Sequence, residues 1–580
     1  MSTSTHIKQG AVLHCPPAYH LKAPFGWLND PCAPGYDSST GTYHLFYQWN
    51  PKSCDWGSIA WGQFTSRDAL TWEHNGSEPV LKPDRPYDNQ GIFTGCLYPT
   101  GLKGEKGQLS IFYSSITKLP IHWTLPYSRD CAGLAVATSA DGGQTWAKHD
   151  LNPILRGEPE ELTVTGFRDP FLATWPALDA VRGEKSLYGA ISGGVLDRGP
   201  TVFFYAVDPK DLGKWNYLGE LVDVPAHFCP SQRWVPDFGI NWECVNFMSL
   251  RNGPHESHFL TFGSEGGFLQ DRPTVPQEST AQCVWMAGTL KETRSGPKMV
   301  YDYGGILDHG NYYAPNSYEH PITKERIVWG WLKEDELTLD RREAKGWTGH
   351  LSLPRELFLV SIDNVVGALN ERVEDIGSVK VVHEEPTGKR RKTVQTLGIR
   401  PLDCLRSLRQ TKARTWYGVK GMQRLGSLAE TQHTNWELEA TINVNRNDGP
   451  VGFFIRHSAD MSQKTAVVFS PAKGEIAVDR SQSNTEADIN KDKVSGPFTL
   501  FVVDEDGADA VEKLHLRIFC DGSVIEVFAN DRFALSTGVH SDLQSCSGIS
   551  WFAETENEDA VVFESIRLWE NLHGEVKSIL

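Results

Sequence analysis

The sequence predicts an all-β protein, a β-propeller followed by a C-terminal β-sandwich, and three observations carry that prediction. Before residue 360 helical periodicity is almost absent, and short strand-like runs bounded by turn residues take its place, as in Tyr43–Tyr47, Leu109–Tyr113 and Thr201–Tyr205. Trp 19, Tyr 17 and Phe 26 are a heavy aromatic load, and Gly 53 with Pro 33 supplies many turns. Finally, Ser66-Arg67-Asp68-Ala69-Leu70-Thr71-Trp72 is echoed by Ser139-Ala140-Asp141-Gly142-Gly143-Gln144-Thr145-Trp146. Both fit a hairpin in which Asp caps its own turn and Trp packs between propeller blades.

The propeller is expected over residues 1–358 and a linker over 359–400, where the texture turns polar and Lys389-Arg390-Arg391-Lys392 stands beside Glu384-Glu385-Pro386. That basic run reads as a solvated loop rather than a nuclear-localisation patch. The sandwich is expected over 401–580. There Trp436–Ile442, Val451–Ile455 and Leu514–Phe519 are strand-like, and Asp521-Gly522 turns the chain into Ser523–Phe528.

Composition narrows the function. Lys+Arg 56 against Asp+Glu 73 gives −17 over 580 residues, a balance unsuited to nucleic acid or an anionic membrane as partner. No run approaches the ~18 apolar residues of a membrane span, and the N-terminus has no signal-peptide core. The 11 cysteines lack CxxC pairing and only one glycosylation sequon, Asn75-Gly76-Ser77, occurs. Together these features predict a cytoplasmic protein with reduced thiols. The chain has no HExxH zinc motif, no phosphate loop and no GxSxG elbow; Gly263-Ser264-Glu265-Gly266-Gly267 is glycine-rich without the dinucleotide spacing.

What remains is a set of carboxylates in aromatic, turn-rich strings: Gly26-Trp27-Leu28-Asn29-Asp30-Pro31, Gly166-Phe167-Arg168-Asp169-Pro170-Phe171 and Asn241-Trp242-Glu243-Cys244-Val245. Proline holds the preceding Asp extended, so its carboxylate can be aimed into a central cavity from a strand. Any one string could be a surface turn. Three in order through a propeller point to a site.

These strings resemble glycoside hydrolase family 32, the β-fructofuranosidases, which comprise invertases, inulinases and fructosyltransferases. The likeness extends through Phe46-Tyr47-Gln48-Trp49-Asn50-Pro51, Trp56-Gly57, Trp61-Gly62, Phe93-Thr94-Gly95-Cys96, Asp308–Ala314, Gly346–Gly349 and Leu353–Leu357, and so covers nearly the whole chain. It implies five blades plus the sandwich, no metal or organic cofactor, and a small sugar such as sucrose or a fructooligosaccharide as substrate. It also implies a retaining mechanism, with Asp30 as nucleophile and Glu243 as acid and then base. Asp169 would stabilise the transition state through fructose hydroxyls, and Arg168, Asn29, Gln48, Trp56, Phe93 and Thr94 would bind substrate.

Leu119-Pro120-Ile121-His122-Trp123 resembles the fungal transfructosylating branch, and an inulinase is the alternative within the family. Departures from the usual pattern at Trp49, Asp55, Gln63, Thr94 and Cys96 are expected near the pocket rim, with Trp49, Trp56 and Trp123 forming an acceptor platform. Rivals from other classes are a sialidase, which would need an arginine triad, and a non-catalytic sugar-binding propeller, which would lose an acid. The sandwich is expected to cover the propeller's flank and to shape either the pocket or a homodimer contact, with Asp479-Arg480-Ser481 and Glu526-Val527-Phe528 structural.

Overall fold

The computed structural model describes residues 16–269, 272–276, 282–382, 391–421, 425–446, 448–541, 545–555, 561–574 and 576–578. Five antiparallel sheets follow one another along the chain, opening with Gly26–Asp37, Gly91–Tyr98, Val164–Thr174, Asn241–Asn252 and Tyr312–Glu319. These five opening strands pack on one another in sequence, and the fifth packs on the first, so the ring closes as a five-bladed propeller. Many strands are buried on both faces, as all eight residues of Leu109–Ile116 are, which is why they read as apolar runs rather than as alternating ones. Closure is reinforced where Trp347–Thr348 pairs in parallel with Gly26–Trp27 of the first blade.

The paired Asp motifs fold alike. Asp68 accepts from the amides of Leu70 and Thr71, and Asp141 from those of Gln144 and Thr145, at 2.7–3.0 Å. Each turn delivers its Trp to a neighbouring blade: Trp72 meets Trp329 edge-on at 5.5 Å, and Trp146 meets Phe46 at 5.4 Å.

The segment 359–400 differs from the linker expected. Strand Arg355–Ala368 runs straight through residue 358 and pairs with Lys392–Pro401, extending the fifth sheet, and Phe501–Glu505 adds to the same sheet. Arg355–Ala368 alternates buried with partly exposed residues, whereas Lys392–Pro401 is buried on both faces despite its polar Thr393, Gln395 and Thr396. Of the basic run, Lys389 and Arg390 lie outside the described residues, while Arg391 pairs with Asp504 at 2.7 Å and Lys392 pairs with Glu374. The sandwich consists of two six-stranded sheets around a core that includes Trp436, Phe453, Ile518, Val527 and Trp551. Its hairpin at Asp521-Gly522 forms where the sequence places it.

The two domains are clamped by buried charge. Arg355, fully buried, donates to Asp308 of the propeller at 2.8 Å and to Glu526 of the sandwich at 2.7 Å. It lies over the rings of Tyr312 and Phe528. His20 bridges Asp521 and Glu526, each at 2.9 Å. Removing one partner from such a buried network costs about 3–5 kcal/mol, against well under 1 kcal/mol for most exposed pairs. Burial alone would lower the His20 pKa, but its bonds to Asp521 and Glu526 prevail and raise it to about 9. A raised imidazole stabilises the fold fully below its ordinary value of 6.5, and that contribution is lost as pH climbs through 9. The melting temperature should therefore decline between pH 6.5 and 9. In His20→Gln that slope should be absent; parallel wild-type and variant profiles by calorimetry would refute the clamp.

Candidate active site

Each opening strand carries a break in pairing register at the same level: Leu28/Pro31, Phe93/Gly95, Arg168/Phe171, Glu243/Asn246 and Tyr313/Asn316. A bulge bends its strand and re-aims side chains. Asp169, Cys244 and Ala314 take left-handed φ values of 62°, 52° and 52° there, a conformation non-glycine residues hold only when their surroundings enforce it. The enforcement is visible. Ser114 of the second blade accepts the Asp169 amide at 2.7 Å, Ser192 of the third accepts that of Val245 at 2.9 Å, and Asn246 of the fourth accepts that of Ser317 at 2.6 Å. Blades two, three and four thus each fasten the bulge of the next.

The bulges bring Asp30, Asp169 and Glu243 together at the propeller axis from blades one, three and four. Asp30 Oδ2 accepts from Thr94 Oγ1 at 2.5 Å and from Gln48 Nε2 at 3.2 Å, and Oδ1 accepts from Asn29 Nδ2 at 3.1 Å. A relay orients these donors: Trp27 Nε1 donates to Asn29 Oδ1, Asn29 Nδ2 to Gln48 Oε1, and Gln48 Nε2 to Thr94 Oγ1. Glu243 is held from two sides. Arg168 donates twice to Oε1, at 3.0 and 2.7 Å, and Tyr313 donates to Oε2 at 2.5 Å. Asp169 accepts from the Cys244 amide at 3.1 Å, and the Cys244 thiol lies 3.7 Å from both Asp30 and Asp169.

Arg168 has a second partner that sequence reasoning missed, Glu265 at 2.7 Å, which Asn241 also binds. Three carboxylates, Asp169, Glu243 and Glu265, therefore crowd one guanidinium. Burial, and then the nearby Glu243 charge, raise Asp30 to about 6 and Glu265 to about 7. Asp169 is pushed well up by burial, against the downward pull of Arg168 and with the Glu243 and Asp30 charges adding to the rise. Glu265 stood in the glycine-rich string 263–267, and Tyr313 in the Asp308–Ala314 block. Glycine-rich strings at strand ends signalled close approach rather than phosphate binding: Gly266 has φ +73°, and a Cβ there would fall 2.9–3.0 Å from Ile240 and the Trp123 ring.

The rim is smaller than expected. Trp56 is 46% exposed and meets Phe93 edge-on at 5.9 Å, and Trp123 lies over Gly266 beside Glu265. Trp49, expected on the same platform, is fully buried; it follows Gln48 on its strand and so points to the opposite face, donating to the Phe25 carbonyl. Gln63 is buried against His44 and Gly143, and Cys96 is buried in the propeller core, so neither lies at the rim. Asp55 does lie beside Trp56 and pairs with Arg342 at 3.4 Å. Arg342 belongs to the short helix Leu339–Lys345, covers the Trp27 ring at 5.7 Å, and neighbours Arg341, which the sandwich holds through Asp488 and Glu486. The sandwich thereby braces one wall of the site.

Because ionised Asp30 is disfavoured in the folded state, Asp30→Asn should melt higher than wild type at pH 7.5. The gap should shrink as pH falls through 6 and close near 3.8, the ordinary Asp value, where both side chains are neutral. A variant that melts lower than wild type at pH 7.5 would contradict this electrostatic reading.

Two family models match, the glycosyl hydrolases family 32 N-terminal domain over residues 20–368 and the family 32 C-terminal domain over 404–570. Among solved structures, a β-fructofuranosidase from Aspergillus kawachii superposes with a TM-score of 0.85 at 28% identity over 99% of both chains. A fructosyltransferase from A. japonicus gives 0.82 at 26% identity over 98% of this chain and 97% of that one. β-Fructofuranosidase 1 of Zea mays is 27% identical over 88% of this chain and 72% of its own length. With both domains matched, and the carboxylates gathered where the propeller strands converge, the chain belongs to glycosyl hydrolase family 32 and is a glycoside hydrolase.

Proposed function

We propose that the chain is a retaining β-fructofuranosidase acting on sucrose and related fructosides, and that it passes fructose to sugar acceptors as well as to water. The observation that carries the reading is the pairing of two unlike carboxyls. Asp30 is fixed by three donors with Glu243 near enough to shift its pKa, while Glu243 is steered by Arg168 and Tyr313. Retention needs two such carboxyls close together, one to attack the anomeric carbon and one to protonate the departing oxygen. In this reading Asp30 forms the fructosyl-enzyme, and Glu243 gives its proton to the glucosyl oxygen and then takes one from the acceptor. Asp169, beside Arg168, holds fructose hydroxyls as positive charge develops on the ring.

Transfer rests on the rim. Water and sugars compete to discharge the intermediate, and a sugar wins only when the site orients it. The exposed Trp56 and the Trp123 ring over Gly266 are apolar faces suited to stacking a pyranose. The likeness to the A. japonicus fructosyltransferase supports the same reading. A reducing, cytoplasmic setting is part of the proposal, supported by the absence of disulfides among the described cysteines.

Three measurements test it. At high sucrose, glucose should exceed free fructose, with trisaccharide formed; equal release without trisaccharide refutes transfer, and binding without any release indicates a sugar-binding module instead. Glu243→Ala should regain turnover with azide on a donor bearing a good leaving group, whereas Asp169→Asn should not; equal responses would undo the division of roles. The acid limb of kcat/KM should titrate near pH 6, because protonated Asp30 cannot attack. A profile flat from pH 7 to well below 5 would remove Asp30 from that role.

A further inference from the structure

Trp27 connects the rim of the site to Asp30. Its Nε1 donates to Asn29 Oδ1 at 2.9 Å, and Asn29 Nδ2 donates onward to Asp30 Oδ1 at 3.1 Å and to Gln48 Oε1 at 3.0 Å. The ring is buried and meets Trp331 edge-on at 5.6 Å. Arg342 lies over its face, with the guanidinium carbon 5.7 Å from the ring centre.

The ion pair of Arg342 does not account for its burial. Its side chain is 11% exposed, yet its one carboxylate partner among the described residues is Asp55 at 3.4 Å, which is 54% exposed. A pair to so open a partner returns little. Its Nε is buried without a hydrogen bond. The other cations of the same helix are engaged elsewhere, Arg341 with Asp488 and Glu486 and Lys345 with Glu334. What meets the Arg342 charge is the Trp27 ring. A cation on an indole face draws electron density towards itself, which leaves the ring N–H a stronger donor. Hydrogen bonds in a chain then strengthen one another.

The chain ends on Asp30. Burial and the Glu243 charge raise that carboxyl, and the Thr94 and Asn29 bonds oppose them. Glu243, Asp169 and the Cys244 thiol face Asp30 from other blades, and the Cys32 thiol donates to its carbonyl. A substitution at Arg342 leaves all of these in place.

We propose that Arg342 is a positioning residue for Asp30: from the rim it polarises the Trp27 N–H and so tightens the Asn29 bond that keeps Asp30 ionised and aimed. The proposal rests on Asp30 being the attacking carboxylate.

The test is the pH profile of kcat/KM on sucrose for wild type, Arg342→Met, Arg342→Lys and Trp27→Phe. Methionine covers the ring without charge, and phenylalanine keeps a face but has no N–H. In Arg342→Met the acid limb should move up by about half a pH unit, and kcat should fall about fivefold with KM held within about twofold. Arg342→Lys should restore the limb. Trp27→Phe should raise it similarly, and adding Arg342→Met to that variant should raise it no further. Should Arg342→Met fold poorly, Arg342→Gln removes the charge while keeping a polar side chain, with the same shift expected. An unmoved limb in the neutral variant, or a shift undiminished in the Trp27→Phe background, overturns the proposal. A wild-type profile without an acid limb would overturn the role of Asp30 itself, and this proposal with it.

Discussion

Four carboxylates and one guanidinium share the space where five strands converge, and the rest of the molecule serves to keep them there. Left to themselves, Asp30, Asp169, Glu243 and Glu265 would repel one another, and Arg168 offsets that repulsion by pairing with Glu243 and Glu265. Holding such a group needs a rigid frame. The repeated bulges aim the side chains, those of blades three, four and five are fastened by a polar residue of the preceding blade, and Asn316 of the fifth blade binds the Pro31 carbonyl of the first, so the geometry of one acid depends on the closure of the ring.

Ring closure in turn depends on elements remote from the chemistry. Trp347–Thr348 laces the end of the propeller to its first blade, and Val576–Ser578 pairs alongside Trp72–His74 on that blade's outer edge. Arg355 and His20 bind propeller and sandwich through charges that are satisfied only when both domains are docked. Among the described residues the sandwich contributes no side chain to the acids, yet through Asp488 and Glu486 it holds Arg341 and so steadies the helix whose Arg342 meets Asp55 and Trp27.

How much of this was legible in the sequence follows from what each residue's neighbours disclose. Asp30 and Asp169 are marked locally by the following proline, and Glu243 by its aromatic string, and the structure gathers all three, although Asp169 is left-handed at φ 62° rather than extended as the proline predicted, because the bulge sets its backbone. Asn29, Gln48, Thr94 and Arg168 surround them, with Trp56 and Phe93 at the rim. Trp49 was misread for a reason the sequence itself contains, since a residue adjacent to Gln48 on one strand must face the other way. Gln63 and Cys96 were misplaced because departure from a family pattern says nothing about depth. Glu265 and Tyr313 could not be found by local reasoning: each reaches the site from a string whose partner lies 70 or more residues away. The strands within 359–400 were hidden because polar residues such as Thr393, Gln395 and Thr396 are buried there, so polarity did not mark an exposed linker.

The central claim is that the bulge at Leu28/Pro31 presents Asp30 as the attacking group. The most direct measurement is mass spectrometry of Glu243→Ala quenched during turnover of a fructoside with a good leaving group, with the protein digested to locate any covalent sugar. A fructosyl group on the peptide containing Asp30, absent when Asp30 is also changed to Asn, is the predicted result. A fructosyl group on another residue, or turnover with inverted product and no adduct, would contradict it.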